Sequence, residues 1–232
     1  MKTEHTVEDY GLRKEAEQFP MMCVLGLSYV CNSLCPSCPY TNSEIRSDYG
    51  DRPFMREDTF KIIADQCGTY GAWVRISGGG EPMLHPQAVE LIEYAKEVRA
   101  KVGLITNGSR FTEENSRRLL DAKINMIEFS VDAADPETYA KVRKGLDWEM
   151  LVKNVKRMVE MRNELKSSTK IIASGVNQTG VDIEVVAKFW EPMVDNFQKR
   201  KYLTWGINDP NKSADPTPYL PPAEMLPCPF IF

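Results

Sequence analysis

Histidine is scarce in this chain, two among 232 residues, so histidine-rich metal sites are excluded. No stretch approaches the roughly 18 to 20 apolar residues of a membrane-spanning helix, so no membrane partner is expected. Dense basic runs are missing too. Lysine and arginine number 29 against 33 acidic residues, a net charge of −4, and the electrostatic footprint of a nucleic-acid binder is absent. Residues Met1 to Gln18 are charged and lack the apolar core of a signal peptide, so a cytoplasmic location is expected. No internal repeat or low-complexity tract interrupts residues 22–206. What remains is an ordinary globular composition, 42% apolar and 27% charged, in a chain long enough for one sizeable core.

Six cysteines in a reducing compartment read as metal or redox ligands rather than disulfides. Cys67 falls on the apolar stripe of a helix and Cys23 within a strand, so both are expected in the core. Cys31, Cys35 and Cys38 are clustered, directly after an apolar run from Cys23 to Val30, in a segment with two prolines and no helical period. Three thiolates on one loop can hold an iron–sulfur cluster while falling one ligand short of the usual four. Such a cluster keeps one iron free, much as a catalytic zinc keeps one position open. The competing reading is a closed structural zinc site. It needs a fourth ligand, and His85 is the one plausible donor, since His5 lies in the N-terminal tail.

Apolar runs alternate with helix-period segments from residue 22 to about 206. The strand candidates are Met22–Tyr29, Trp73–Ser77, Val102–Thr106, Met126–Val131, Lys170–Val176 and Tyr202–Gly206. They read as near-continuous apolar runs, which suits parallel strands covered on both faces. Between them, apolar stripes recur at helical spacing: Phe60, Ile63, Ala64 and Cys67; Ala88, Leu91, Ile92, Ala95 and Val98; Trp148, Leu151, Val152, Val155, Met158 and Val159; Ile183, Val186, Ala187 and Trp190. Pro86 and Pro136 fit first helical positions, and Thr112 and Asp182 suit N-caps. Strand then helix, repeated about six times, is an α/β pattern of βα units around a parallel sheet. Residues 1–20 read as an N-terminal extension and 21–207 as the core. Residues 208–232 form a proline-rich tail, with seven prolines between Asp209 and Pro229.

In a parallel sheet, ligands gather beyond the carboxyl ends of the strands. The three cysteines follow the first strand, and Gly78, Gly79, Gly80, Glu81 and Pro82 follow the second. Asn107 and Gly108 follow the third, Ser130 and Asp132 end the fourth, and Asn177 follows the fifth. Glycines let backbone approach a ligand closely. Glu81 offers a carboxylate to an ammonium, and the forked guanidinium of Arg143 suits a carboxylate. Asp132 and Asn107 are candidates for site-wall hydrogen bonds. Plainer readings stand beside these: a tight turn for the glycines and for Asn107-Gly108, and a surface helix residue for Arg143, between Lys141 and Lys144.

Cys31-x-x-x-Cys35-x-x-Cys38 after the first strand, with Gly79-Gly80-Glu81-Pro82 after the second, resembles the radical S-adenosylmethionine (SAM) enzymes across roughly residues 22–206. Ser130 to Arg143 is similar to the same region in the branch that matures peptides and sulfatases. The resemblance implies a partial (β/α)6 TIM-like barrel with parallel strands. It implies a 4Fe-4S cluster on Cys31, Cys35 and Cys38, and SAM held by Gly78, Gly79, Gly80, Glu81, Asn107, Ser130, Asp132 and Arg143. It further implies an external one-electron donor of flavodoxin or ferredoxin type, and a 5′-deoxyadenosyl radical that abstracts hydrogen from a peptide or small-molecule substrate. Pro36 and Pro39 follow ligands and lack N–H groups, which removes possible hydrogen bonds to sulfur and favours a low potential; a Pro36→Ala variant whose potential does not rise would remove this reading. The family usually carries an aromatic residue where this chain has Ser37, and Tyr40 could cover the cluster instead. Cys228, in Leu-Pro-Cys-Pro-Phe, resembles the opening of a cysteine-rich SPASM module, and the apolar ending at Phe232 suggests a piece of a longer enzyme. Two rivals remain at this stage: a glycyl-radical activating enzyme, and a metal-stabilised scaffold that does not cleave SAM.

Overall fold

The computed structural model describes residues 18–41, 53–202 and 230–231. Seven strands form one parallel sheet. They are β1 (Met22–Leu25), β2 (Trp73–Ile76), β3 (Lys101–Thr106), β4 (Met126–Ser130), β5 (Lys170–Asn177), β6 (Asn196–Lys201) and β7 (Phe230–Ile231). Their order is β6-β5-β4-β3-β2-β1-β7, so the first six run across the sheet in sequence order, as a succession of βα units requires. The helices are α1 (Glu57–Tyr70), α2 (Ala88–Glu97), α3 (Glu113–Asp121), α4 (Pro136–Val142), α5 (Trp148–Glu164) and α6 (Ile183–Trp190). This is the partial α/β barrel of the sequence reading.

Local chemistry sets where the helices begin. Thr112 caps α3 in a reciprocal pair: its hydroxyl accepts from the Asn115 N–H at 3.2 Å, and the Asn115 side chain accepts from the Thr112 N–H at 2.8 Å. Asp135 caps α4 ahead of Pro136, whose missing N–H costs nothing there. Asp182 caps α6. Pro86 does not open a helix; α2 starts two residues later, after Gln87. The expected stripes face inward, with Phe60, Ala64, Leu91, Ile92, Val155, Met158 and Trp190 essentially without exposure.

Strand residues alternate between two faces. Val74, Ile76, Val102, Leu104, Ile127 and Phe129 pack in the core. Trp73 and Arg75, Gly103 and Ile105, and Met126, Glu128 and Ser130 take the opposite, lumen face. Gly103 is needed small there: a Cβ would lie 3.1 Å from Met126 Cε and 3.7 Å from the Trp73 ring.

The bounds of the sixth strand change. The sixth strand is Asn196–Lys201, not Tyr202–Gly206, and residues 203–206 lie outside those described. Its sequence, Asn-Phe-Gln-Lys-Arg-Lys, has one buried residue, Phe197, because among the described residues it pairs only with β5 and forms a sheet edge. Charged edge strands discourage pairing with other chains, and they carry no apolar run for sequence reading to find. Phe230 and Ile231 form β7, which pairs in parallel with β1. Cys228 lies outside the described residues.

Cys23 and Cys67 sit in the core as expected. Burial, with Cys23 beside it, pushes the Cys67 thiol up to about 12. Cys67 is therefore expected to resist iodoacetamide at neutral pH until the protein is unfolded. Peptide mass spectrometry checks this, and native labelling at the rate of a free thiol would contradict it.

Candidate active site

The first strand ends early, at Leu25, and the chain from Gly26 onward lifts off the sheet to form the cysteine loop. That loop is clamped from two sides. On one, the Leu34 N–H and the Ser33 hydroxyl both donate to the Lys144 carbonyl, at 2.8 and 3.0 Å. This ties the loop to the turn after α4, where Gly145 has φ +89° and a Cβ would press 3.1 Å from the Asn32 carbonyl oxygen. On the other, Asn107 Nδ2 donates to Asn32 Oδ1 at 2.9 Å, and Asn32 Nδ2 donates to the Ser109 hydroxyl at 2.9 Å.

The glycine loop after β2 fits against the same segment. Gly78 has φ +131°, which a side chain rarely tolerates. A Cβ on Gly80 would fall 2.4 Å from both the Ser28 and Val30 carbonyl oxygens. Gly80→Ala is therefore expected to destabilise the fold by about 1–3 kcal/mol through overpacking against backbone that cannot yield. Urea denaturation measures this, and an unchanged midpoint would show that the loops separate freely.

Cys31, Cys35, Cys38, Gly78, Gly79, Gly80, Glu81, Asn107, Ser130 and Arg143 all line one cavity of about 210 Å3, at the carboxyl ends of the strands. Sequence reasoning assigned no role to Ser33, Thr41, Ser77, Ile105 and Thr106, which line it as well. Tyr40 also lines the cavity, and a Cβ on Gly79 would meet the rings of Tyr29 and Tyr40 at 2.9 Å.

Cys35 is the most buried of the three thiols and has the richest surroundings. The Ser33 hydroxyl lies 3.0 Å from its sulfur, and Arg143 Nη1 donates to it at 3.6 Å. Burial pushes the Cys31 thiol up. None of the three is in a disulfide.

Glu81 is more than a cavity group. Its carboxylate is 2% exposed and accepts from the Thr106 hydroxyl at 2.6 Å, the Asn107 N–H at 2.7 Å and the Met83 N–H at 3.1 Å. It joins the loops after β2 and β3 and caps a short 3-10 turn, Pro82–Leu84. Burial raises its pKa, and the three donors pull it part of the way back.

Asp132 does not line the cavity. It takes a left-handed conformation, φ +54°, accepts from the Val176 N–H at 2.7 Å and pairs with Arg143 Nη2 at 2.7 Å. Both oxygens are engaged, so it braces the wall and aims Arg143. Burial works against the Arg143 charge, but Asp132 and the Cys35 sulfur outweigh it and hold its pKa above the ordinary arginine value. Arg143 Nε is buried without a hydrogen-bond partner among the described residues. Arg143 is thus no surface helix residue.

The zinc reading loses its fourth ligand. His85 Nδ1 accepts from the Gln87 N–H at 3.0 Å, which leaves Nε2 to donate to the Met55 carbonyl at 2.9 Å. Among the described residues, no group of three His, Cys, Asp or Glu side chains could hold a single metal ion. Cubane thiolates bind separate irons and need not converge on one point.

Residues 26–189 match the sequence signature of the Radical SAM superfamily. The chain belongs to this superfamily. It is 31% identical over 133 residues to a probable GTP 3',8-cyclase of Methanocaldococcus jannaschii, covering 57% of this chain and 44% of that protein. It is 28% identical over 139 residues to the mycofactocin maturase MftC of Mycobacterium tuberculosis, covering 60% of this chain and 34% of that one. The chain thus spans less than half the length of these relatives. Among solved structures, Streptococcus suis SuiB bound to S-adenosylmethionine superposes with a TM-score of 0.68 at 21% identity, over 84% of this chain and 43% of SuiB. Superfamily membership makes this an enzyme and implies an iron–sulfur cluster and SAM. No helix among the described residues is long and apolar enough to cross a membrane.

Proposed function

We propose that this radical SAM enzyme holds a 4Fe-4S cluster on Cys31, Cys35 and Cys38 and cleaves SAM reductively to start hydrogen abstraction from a peptide. The observation that carries the reading is the single cavity in which the three cysteines, the glycine loop, Glu81, Ser130 and Arg143 meet. The residues present suit the group: three soft sulfurs on one loop, a cradle without side chains, and an arginine with an unused buried N–H. When bound, the cluster supplies the electron that splits SAM into methionine and a 5′-deoxyadenosyl radical.

The chain's own residues bind and orient. Arg143 meets the methionyl carboxylate, with Ser130, whose hydroxyl has no partner among the described residues, beside it. The backbone of Gly78 to Gly80 approaches the methionyl amino end, where the buried Glu81 carboxylate supplies negative charge. Asn107 forms wall for the nucleoside side, and Tyr40 shields the cysteine loop. Asp132 acts through Arg143 as a positioning residue. The electron comes from a flavodoxin- or ferredoxin-like donor. The tail from residue 208 belongs in this reading to a further module, returning to the barrel through β7.

A peptide substrate is supported by relatives of this kind: SuiB has been solved bound to its precursor peptide SuiA, and MftC is named a maturase. The test is anaerobic reconstitution with iron and sulfide, then dithionite and SAM, with product analysis for 5′-deoxyadenosine. Formation by the native protein and none by the Cys31/Cys35/Cys38→Ala variant is expected. No product from a fully loaded native protein would sink the reading.

A further inference from the structure

Glu128 lies on the lumen face of β4 and has no exposure. Two arginines from other strands hold it: Arg75 of β2, whose Nη2 lies 3.2 Å from Oε2, and Arg200 of β6, whose Nε donates to Oε1 at 2.9 Å and whose Nη2 also reaches Oε1. Register sets Arg200 opposite Val176, four residues beyond Asn196, which shares the level of Ile172 and Glu128, so Arg200 reaches back along the lumen to Glu128 and the three side chains form one charged cluster there. Apolar side chains would be the ordinary filling.

Position and charge balance both suggest a ligand. Arg75 and Glu128 stand two residues before Ser77 and Ser130, which line the SAM cavity, and Ile105, the register partner of Glu128, lines it too. One pleat repeat, about 6–7 Å, separates the two levels. Two guanidiniums around one carboxylate leave an excess positive charge in a half-enclosed space, which is costly unless it is matched. Arg200 Nη2 is further held by Gln198 Oε1 at 2.9 Å, so its fork is fixed. Arg75 Nε and Nη1 and Arg200 Nη1 donate to no described residue, and the two side chains remain 25% and 38% exposed.

We infer that Arg75 and Arg200, set by Glu128, form a recognition site for a carboxylate of the substrate next to the SAM cavity. The inference rests on the reading of that cavity given above. A single carboxylate neutralises the cluster, whereas a phosphate monoester, at about −1.5 to −2, would leave it over-charged. On a peptide, the group is an aspartate or glutamate side chain near the residue that reacts.

The test titrates N-acetylglutamate N-methylamide, its glutamine counterpart and inorganic phosphate into the anaerobically reconstituted protein, read by calorimetry. Glutamate is expected to bind at least about tenfold more tightly than glutamine, the worth of a charge-assisted hydrogen bond. R75Q and R200Q should each weaken it by a similar factor, and E128Q, which bares both guanidiniums, should strengthen it. A purely structural triad predicts the opposite for E128Q, so weakened binding there overturns the proposal. Equal binding of glutamate and glutamine, binding of neither, or phosphate binding more tightly than glutamate overturns it as well. R75K guards against loss of fold: it keeps a cation beside Glu128, and melting at the native temperature with weaker binding is the expected result, while unchanged binding counts against the proposal. Formation of 5′-deoxyadenosine is scored separately, so failure here and failure of the SAM reading are distinct outcomes.

Discussion

Replacing Arg143 by glutamine is expected to lower the affinity for SAM at least about tenfold, the value of one charge-assisted hydrogen bond, and to destabilise the fold. The second effect follows from burial. Asp132 is 2% exposed, and without Arg143 its charge would keep only the Val176 N–H as partner. Breaking a buried pair from one side costs about 3–5 kcal/mol. Asp132→Asn separates the two effects. Asparagine tolerates the left-handed conformation at φ +54° and can still accept from Val176. The arginine keeps its donors for the methionyl carboxylate but loses the partner that aims it, so stability should fall while SAM affinity drops less than in Arg143→Gln. Equilibrium binding of SAM and urea unfolding of both variants check this. Undiminished SAM affinity in Arg143→Gln would remove Arg143 from the binding role.

Glu81→Ala should be more damaging to the fold than its single lost carboxylate suggests. It strands the Thr106 hydroxyl and the Asn107 and Met83 N–H groups together, and each unsatisfied buried donor costs about 1–3 kcal/mol. Glutamine is not a neutral replacement, because its amide nitrogen would confront either the Asn107 N–H or the two donors on Oε1. Both variants are expected to unfold at markedly lower urea, alanine furthest. A Glu81→Ala protein as stable as the native one, yet unable to bind SAM, would show that the carboxylate serves the ligand alone.

Much of this site could be read from the chain because its signals are local. The glycine run and Asn107 each sit within a few residues of a strand end, the three cysteines form a motif on the one loop that follows β1, and a parallel sheet brings these loops to one rim. The function of Asp132 could not be read that way, since it depends on Val176, 44 residues away, and on the side chain of Arg143. Glu81 looked like a free carboxylate for the same reason: two of its three donors, Thr106 and Asn107, come from the end of β3 and the loop after it. Ser33 and Thr106 carry no motif, and only the folded loops set them beside Cys35 and Glu81. In the fold, β1 to β5 announced themselves as apolar runs covered by helices. The sixth strand gave no such signal because half its surroundings are water, and β7 is too short for any period.

The position of Arg200 on that outermost strand has a kinetic corollary. Edge strands open locally at a lower free-energy cost than central ones, so β6 should exchange its amide hydrogens faster than β4. Each such excursion takes one guanidinium away from Glu128 and returns it on reclosure. The charge inside the barrel is thereby coupled to the breathing of one of its borders, and an acidic guest that bridges Arg75 and Arg200 would quiet that border by holding it shut.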